Sequence, residues 1–411
     1  MNYILEYSEQ EVVETILLPV SKSECNRLLV AQYLSGYQFL IDEISDSDDS
    51  QVLKKCLNEI DEVTTFDVHH AGTAFRFLTA LFAITPGTRI ITGSNRLKER
   101  PIAPLVNALK DLGADIEYLE KENFAPLKIT GKKLQGKSLQ VEAGISSQFV
   151  SALMLIAPYL ENGLQIEFKN KPVSFSYLVL TASIMKRLGV DLDLFEDKVV
   201  VKAGTYKSVM PVKAERDWTS ASYWYEFVAL SKKAKIKLPG LFENSLQGDV
   251  VLKDIFTFFG VTTEFNSDGV TIFKNYLPVD QLIFDFSDSP DLAQTVAATA
   301  SVLNLPVILN GVSTLRVKET NRVEALKIEL EKIGVNIIEI DITSFKIEFN
   351  NERFSKDLSF STYQDHRMAM CLAPLVIHYK KIVIENPEVV SKSYPNFWMH
   401  LSRLGVEITK Q

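Results

Sequence analysis

Four ionisable side chains, Arg316, Lys318, Glu319 and Arg322, fall within seven residues of the segment Ser313-Thr314-Leu315-Arg316-Val317-Lys318-Glu319-Thr320-Asn321-Arg322. An apolar run, Pro306-Val307-Ile308-Leu309, precedes them, and an amphipathic run from Val323 to Ile333 follows. A strand should therefore end and a helix begin at this point. The unpaired N–H groups and the dipole of a helix start favour negative charge. Extra cations there suit a multiply charged anion such as a phosphate, and a carboxylate among them suits proton transfer. Taken alone, such a cluster is as readily a solvated, salt-bridged helix start.

The chain holds further clusters of the same kind. Leu17-Leu18-Pro19-Val20-Ser21-Lys22-Ser23-Glu24-Cys25-Asn26-Arg27 places hydroxyls and cations at a strand-to-helix junction. Ser21 or Ser23 can cap the helix, while Lys22 and Arg27 offer charge to an anion; the glycine-rich loop of a nucleotide site is missing. In His70-Ala71-Gly72-Thr73-Ala74-Phe75-Arg76, Gly72 lets the backbone approach a ligand closely. Arg100, in the stretch Arg96 to Pro101, either grips a carboxylate or phosphate through two nitrogens or is an exposed helix-start charge. Ser146-Ser147-Gln148 opens the apolar run Phe149 to Tyr159 and either caps a helix or binds oxyanions. Asp291 follows Pro290 at the head of the run Leu292 to Leu303, where an aspartate usually caps. Asp365-His366-Arg367-Met368 begins another helix, with Arg367 as the group of interest, and Lys392 lies in the turn Val390 to Pro395. The histidines at 69, 70, 366, 378 and 400 have no spacing suited to a metal, so none is expected.

The elements that carry these groups need a large scaffold. At 411 residues the chain exceeds one ordinary core, which predicts two domains. With 46% hydrophobic and 23% charged residues the composition is that of a soluble globular protein. Cys25, Cys56 and Cys371 are too few and too far apart for a disulfide framework and fit a reducing, cytoplasmic setting. The first residues show no basic region followed by an apolar stretch, so no signal peptide is expected. Leu292 to Leu315 carries no charge, but Gln294, Asn304, Pro306 and Gly311 divide it. It reads as helix, turn and buried strand and not as a membrane span. A net charge of −8 argues against a nucleic-acid partner and leaves small anions open.

A repeat organises these elements. Leu112-Gly113-Ala114, Leu188-Gly189-Val190, Phe259-Gly260-Val261, Ile333-Gly334-Val335 and Leu404-Gly405-Val406 each follow an amphipathic run and lead into a β-rich segment. The glycines lie 71 to 76 residues apart. Glycine in the left-handed conformation ends a helix, and the next residues enter a strand. Ile60-Asp61-Glu62-Val63 is a degenerate sixth copy, shortened and without the glycine. The pattern predicts tandem units of about 70 residues mixing helices and strands, larger than solenoid repeats. Six units over two domains give three each.

Together these segments resemble the 5-enolpyruvylshikimate-3-phosphate synthase family of enolpyruvyl transferases, over nearly the whole chain and in the family's order. The most specific pieces are Ser146-Ser147-Gln148-Phe149, Asn244-Ser245-Leu246-Gln247-Gly248-Asp249, Arg316-Val317-Lys318-Glu319-Thr320 and Asp365-His366-Arg367-Met368-Ala369. The resemblance implies an α/β fold of two inside-out barrel domains, each of three βαβαββ units, with ligands in the cleft between them. Residues 1–18 plus 217–411 would form one domain and 19–216 the inserted second. The implied reaction joins phosphoenolpyruvate to the 5-hydroxyl of shikimate 3-phosphate and releases phosphate, in the pathway to chorismate and the aromatic amino acids. Asp291 would accept the hydroxyl proton, Glu319 would act as acid and base at the methylene carbon, and Lys22 would bridge both substrates. The shikimate 3-phosphate side would comprise Lys22, Ser23, Arg27, Ser146, Ser147, Gln148, Ser174, Tyr177, Asp291, Thr314 and Lys318. The phosphoenolpyruvate side would comprise Lys22, Gly72, Arg100, Gln148, Arg322, Arg367 and Lys392. Arg316 is assigned no ligand and is expected to be structural.

The resemblance implies no cofactor and no metal, and the expected protein is a cytoplasmic monomer that engages neither nucleic acid nor membrane. The sequence departs from the family pattern at Val20, His70, Phe77 and Thr314, keeps only the ends of one motif in Ser174-Phe175-Ser176-Tyr177, and is short between Leu57 and His69. Two alternatives stand beside this reading. A transferase of the same fold acting on UDP-N-acetylglucosamine would carry a reactive cysteine on a mobile loop, a context none of the three cysteines has. A non-catalytic paralogue would have lost Asp291, Glu319 or Lys22, and all three are present.

Overall fold

A computed structural model describes residues 1–144, 146–275, 282–350 and 358–411. The chain divides into two compact units, Met1–Pro19 with Glu215–Gln411, and Val20–Ala214. Each unit has one contiguous apolar core.

One pairing order recurs in every sheet described: one parallel pair, then two antiparallel pairings. In the second unit, Thr65–Asp67 pairs parallel with Gly87–Thr92, which pairs antiparallel with Leu127–Gly131, and Asp115–Tyr118 completes the hairpin. Ser138–Val141, Leu164–Phe168, Lys198–Val201 and Leu192–Leu194 repeat that order. In the first unit it recurs in Leu282–Asp285, Val307–Asn310, Ser344–Phe349 and Val335–Asp341. Val12–Thr15 begins another copy, completed after the second unit by Ala234–Pro239, Gly269–Lys274 and Val261–Asn266. The last sheet, Leu358–Phe360, Lys381–Glu385, Asn2–Tyr7 and Val406–Lys410, uses the first strand of the chain as its third member.

All five repeat glycines have positive φ, at Gly113, Gly189, Gly260, Gly334 and Gly405. Each ends a helix with a conformation that a side chain would penalise and turns the backbone into a strand. The charge-free segment forms the helix Ala293–Leu303 and the strand Val307–Asn310. Among the described residues no helix is long and apolar enough to cross a membrane.

The sixth copy is shortened, in keeping with the short segment between Leu57 and His69. It keeps two helices, Lys22–Leu34 and Asp48–Asn58, and in place of strands Ile41 forms an isolated parallel bridge with Val212. Glu59 to Thr64 alone connects the second helix to the next strand, a span too short for a hairpin of two strands and a turn. Two helices from this copy therefore pack on the core without a sheet of their own.

Candidate active site

The Arg316-to-Arg322 segment separates into two roles. Arg316 lies in the short 3-10 turn Ser313–Val317 and pairs at 2.6 Å with Glu339 on a neighbouring strand. Lys318 and Glu319 occupy the loop beyond it, and Arg322 is the first residue of the helix Arg322–Glu331, which Asn321 caps through its side chain. A cation at a helix N-terminus opposes the helix dipole, so Arg322 needs carboxylates around it. It has three. Nε and Nη2 donate to the two oxygens of Asp365 at 2.7 and 3.3 Å, Nη1 to Asp291 at 2.9 Å, and Nη2 also to Glu319 at 3.0 Å. The guanidinium is 1% exposed and Asp365 fully buried.

Asp365 caps the helix His366–Leu372 by accepting from the Arg367 N–H at 2.9 Å, which sets Arg367 in the first turn. The Arg367 guanidinium then reaches Asp291 at 3.0 Å, and its other nitrogen donates to the Tyr223 hydroxyl at 3.5 Å. Lys318 approaches Asp291 to 3.8 Å. Lys392, at the end of the turn Pro387–Lys392, pairs with Glu319 at 3.2 Å. Asp291 sits in the 3-10 turn Pro290–Leu292 before the helix Ala293–Leu303, whose capping position is Leu292; its carboxylate faces the three cations. Thr314 places a buried hydroxyl in the same segment with no hydrogen-bond partner among the described residues.

This geometry sets the electrostatics. Burial by itself would raise the Asp291 carboxyl, but Arg367, Lys318 and Arg322 outweigh it and hold the group well below the usual carboxylate range. Burial lowers the Lys318 ammonium, with Asp291 opposing and Arg322 assisting. Burial also acts against Arg322, and its three carboxylates more than compensate. Behind Asp291, burial and that carboxylate push Asp249 up to about 7, while the Thr219 hydroxyl donates to it. The four cations Lys318, Arg322, Arg367 and Lys392 exceed the three carboxylates Asp291, Glu319 and Asp365 by one charge. The arrangement combines anion affinity with two carboxylates joined through one guanidinium.

Three groups form in the second unit. Lys22 is the first residue of the helix Lys22–Leu34, capped by Ser21, and pairs with Asp49 at 3.2 Å. One turn on, Arg27 is buried and donates to the Ser23 carbonyl, the Thr181 and Ser151 hydroxyls and the Tyr177 carbonyl. Its guanidinium lies 5.5 Å from the Phe77 ring and 5.8 Å from the Tyr177 ring, and burial brings its pKa down to about 10. Ser174, just before Tyr177, adopts φ +55°.

The third group starts at Gly72, first residue of the helix Gly72–Ile84. A Cβ on Gly72 would meet Arg100 Nη1 at 2.7 Å and Arg76 Nη1 at 2.8 Å, so both guanidinium groups lie against its bare backbone. Ser146 caps the helix Ser147–Ile156 by accepting from the Gln148 N–H. The Gln148 side chain donates to Thr73 at 3.1 Å, while its Oε1 is buried without a hydrogen-bond partner among the described residues.

Sequence reasoning did not single out Asp365, Tyr223, Thr73, Ser151, Thr181, Asp249 or Asp49 for roles. Asp365 did carry a signal, since a helix-capping aspartate directly before His-Arg could have been asked what it holds. Thr73 and Asp249 fall inside quoted segments without having been given a role, and Tyr223, Ser151, Thr181 and Asp49 lie in ordinary helical patterns. Among the described residues, no group of three or more His, Cys, Asp and Glu is placed to hold a metal ion.

Over residues 30–401 the sequence matches the family described as EPSP synthase (3-phosphoshikimate 1-carboxyvinyltransferase). It is 43% identical over 410 residues to a 3-phosphoshikimate 1-carboxyvinyltransferase of Bacteroides fragilis, covering 99% of each chain. With the protein of that name from Vibrio atlanticus it shares 32% identity over 423 residues, 97% of this chain and 98% of the other. Of solved structures, EPSP synthase from Acinetobacter baumannii aligns over 100% of both chains with a TM-score of 0.77 at 17% identity. The enolpyruvyl transferase NikO from Streptomyces tendae aligns over 99% of this chain and 98% of its own, with a TM-score of 0.73 at 14% identity. The structural likeness establishes a shared fold, mixed α/β with several sheets.

Proposed function

The chain belongs to the EPSP synthase (3-phosphoshikimate 1-carboxyvinyltransferase) family, and on that premise we propose that it transfers the enolpyruvyl group of phosphoenolpyruvate to the 5-hydroxyl of shikimate 3-phosphate. The hydroxyl oxygen bonds to the substituted carbon of the enol, its proton passes to Asp291, and the methylene carbon takes a proton from Glu319. The tetrahedral adduct then expels phosphate and returns a proton from the new methyl group, which leaves the enolpyruvyl ether. The observation that carries the reading is the Asp291–Arg322–Glu319 bridge, with bonds of 2.9 and 3.0 Å. It places two carboxyl groups for opposite proton transfers, Asp291 ionised to accept and Glu319 protonated to donate, among cations suited to two anionic substrates.

Lys22 and Gln148 are assigned to both substrates, Ser23, Arg27, Ser146, Ser147, Ser174, Tyr177, Asp291, Thr314 and Lys318 to shikimate 3-phosphate, and Gly72, Arg100, Arg322, Arg367 and Lys392 to phosphoenolpyruvate. The buried, unpartnered Thr314 hydroxyl and Gln148 Oε1 support their part in this assignment, since such atoms are normally satisfied. The same reading includes the inside-out barrel arrangement of the repeats, a cytoplasmic setting and a monomer. Transfer to UDP-N-acetylglucosamine is not favoured. Burial pushes the Cys25 and Cys56 thiols up to about 11 and Cys371 well above the ordinary thiol value, the reverse of a reactive cysteine.

The test is release of inorganic phosphate by the purified protein. Release is expected only when shikimate 3-phosphate and phosphoenolpyruvate are supplied together. Background rates from folded protein with both present would overturn the reading.

A further inference from the structure

Lys22 carries its ammonium on a flexible four-carbon stem, which on its own would sample many positions. The structure restrains it. Asp49, in the first turn of the helix Asp48–Asn58, meets the ammonium at 3.2 Å, with side-chain exposures of 6% for Asp49 and 16% for Lys22. One N–H is thereby engaged, and two remain for anions.

A buried polar chain locks the two helices in the register this contact needs. The Ser45 N–H donates to Cys25 Sγ at 3.3 Å. The Ser45 hydroxyl donates to Ser47 at 3.0 Å, Ser47 to Ser50 at 3.1 Å, and Ser50 to Asn26 Oδ1 at 2.7 Å. Cys25 and Asn26 belong to the Lys22 helix, and Ser50 to the Asp49 helix. Apolar side chains could fill this space but would tolerate a slip. A slip of one residue would turn Asp49 about 100° around its helix and away from Lys22. Directional hydroxyl bonds oppose that slip. Asp49 could instead serve only the dipole of its own helix, but its exposed neighbour Asp48 already supplies charge there.

We propose that Asp49 is a positioning residue for enolpyruvyl transfer, holding the Lys22 ammonium at the reacting centre without touching substrate itself. The inference rests on the reading in which Lys22 bridges both substrates.

The experiment measures saturated phosphate release by wild type, Asp49→Asn, Asp49→Glu and Asp48→Asn. Each rate is divided by the number of shikimate 3-phosphate sites counted by calorimetric titration, so misfolded protein does not enter. Asp49→Asn should lower kcat per site by about 10- to 100-fold, with both KM values changing much less. Asp49→Glu should recover part of that loss, and Asp48→Asn should match wild type. Wild-type kcat per site in Asp49→Asn, equal losses in Asp49→Asn and Asp49→Glu, or an equal loss in Asp48→Asn would each overturn the proposal. Absence of release from wild type itself would instead overturn the proposed function, so the two failures are distinguishable.

Discussion

Arg322 and Asp365 form a two-pronged ion pair, with bonds of 2.7 and 3.3 Å, in which neither side chain meets solvent to any extent. The same aspartate accepts the Arg367 backbone N–H. One buried carboxylate thus sets both arginines that converge on Asp291.

Asp365→Asn should therefore cost stability and activity together. Breaking a buried pair typically costs about 3–5 kcal/mol. A loss near the lower end is expected, because Arg322 keeps Asp291 and Glu319. Urea unfolding and kcat/KM should both fall; a wild-type unfolding midpoint would refute the role.

The cations around Asp291 make it a weak base before ligands arrive. Anionic substrates would draw Arg322, Arg367 and Lys318 toward themselves and raise its proton affinity. A base works only when ionised, so kcat should fall on acidification at a higher pH than kcat/KM does, after correction for substrate phosphate ionisation. An acid limb of kcat at or below that of kcat/KM would contradict this. Asp291→Asn should lose about 100- to 10,000-fold in kcat while calorimetry still shows both ligands binding.

Gly72→Ala tests the close approach of two guanidinium groups. The backbone there is helical, so alanine suits it, but its Cβ would displace Arg100 and Arg76 from 2.7 and 2.8 Å. The KM for phosphoenolpyruvate should rise about tenfold, equivalent to 1.4 kcal/mol, with the melting temperature nearly unchanged. An unaltered KM would show that Arg100 had kept its place against phosphoenolpyruvate.

Glu226 offers a test of the core. It lies fully buried in the helix Trp218–Leu230, both carboxyl oxygens lack hydrogen-bond partners among the described residues, and burial raises it well above its ordinary value of 4.5. The folded state therefore keeps this proton to a higher pH than the unfolded chain does. Stability attached to the group should fall as pH rises above about 4.5. Glu226→Met should be more stable than wild type at pH 8 by on the order of 1–3 kcal/mol, with a smaller gain at pH 5. Equal gains at both values would rule out the titration.

Much of this was legible beforehand. The repeat glycines announced helix ends that the backbone forms, and Ser21 caps the Lys22 helix as one of the two serines offered for that task. The charge-free stretch divides where Asn304 and Pro306 stand, because a left-handed asparagine and a proline end the helix. Asp291 and Asp365 illustrate the limit. Both head helices, and capping chemistry reads the same whether or not the carboxylate also grips an arginine.

By itself the sequence determined the order of the charged motifs, the repeat that carries them and the family to which the chain belongs. Those follow from local signals, a few residues at a time. Only the tertiary structure decided which cation meets which carboxylate. Arg322 finds Asp365 across 43 residues, Arg367 finds Asp291 across 76, and Lys22 finds Asp49 across 27. Charge pairing has no sequence period, and its energy depends on burial and distance, which exist only once the helices and sheets have packed.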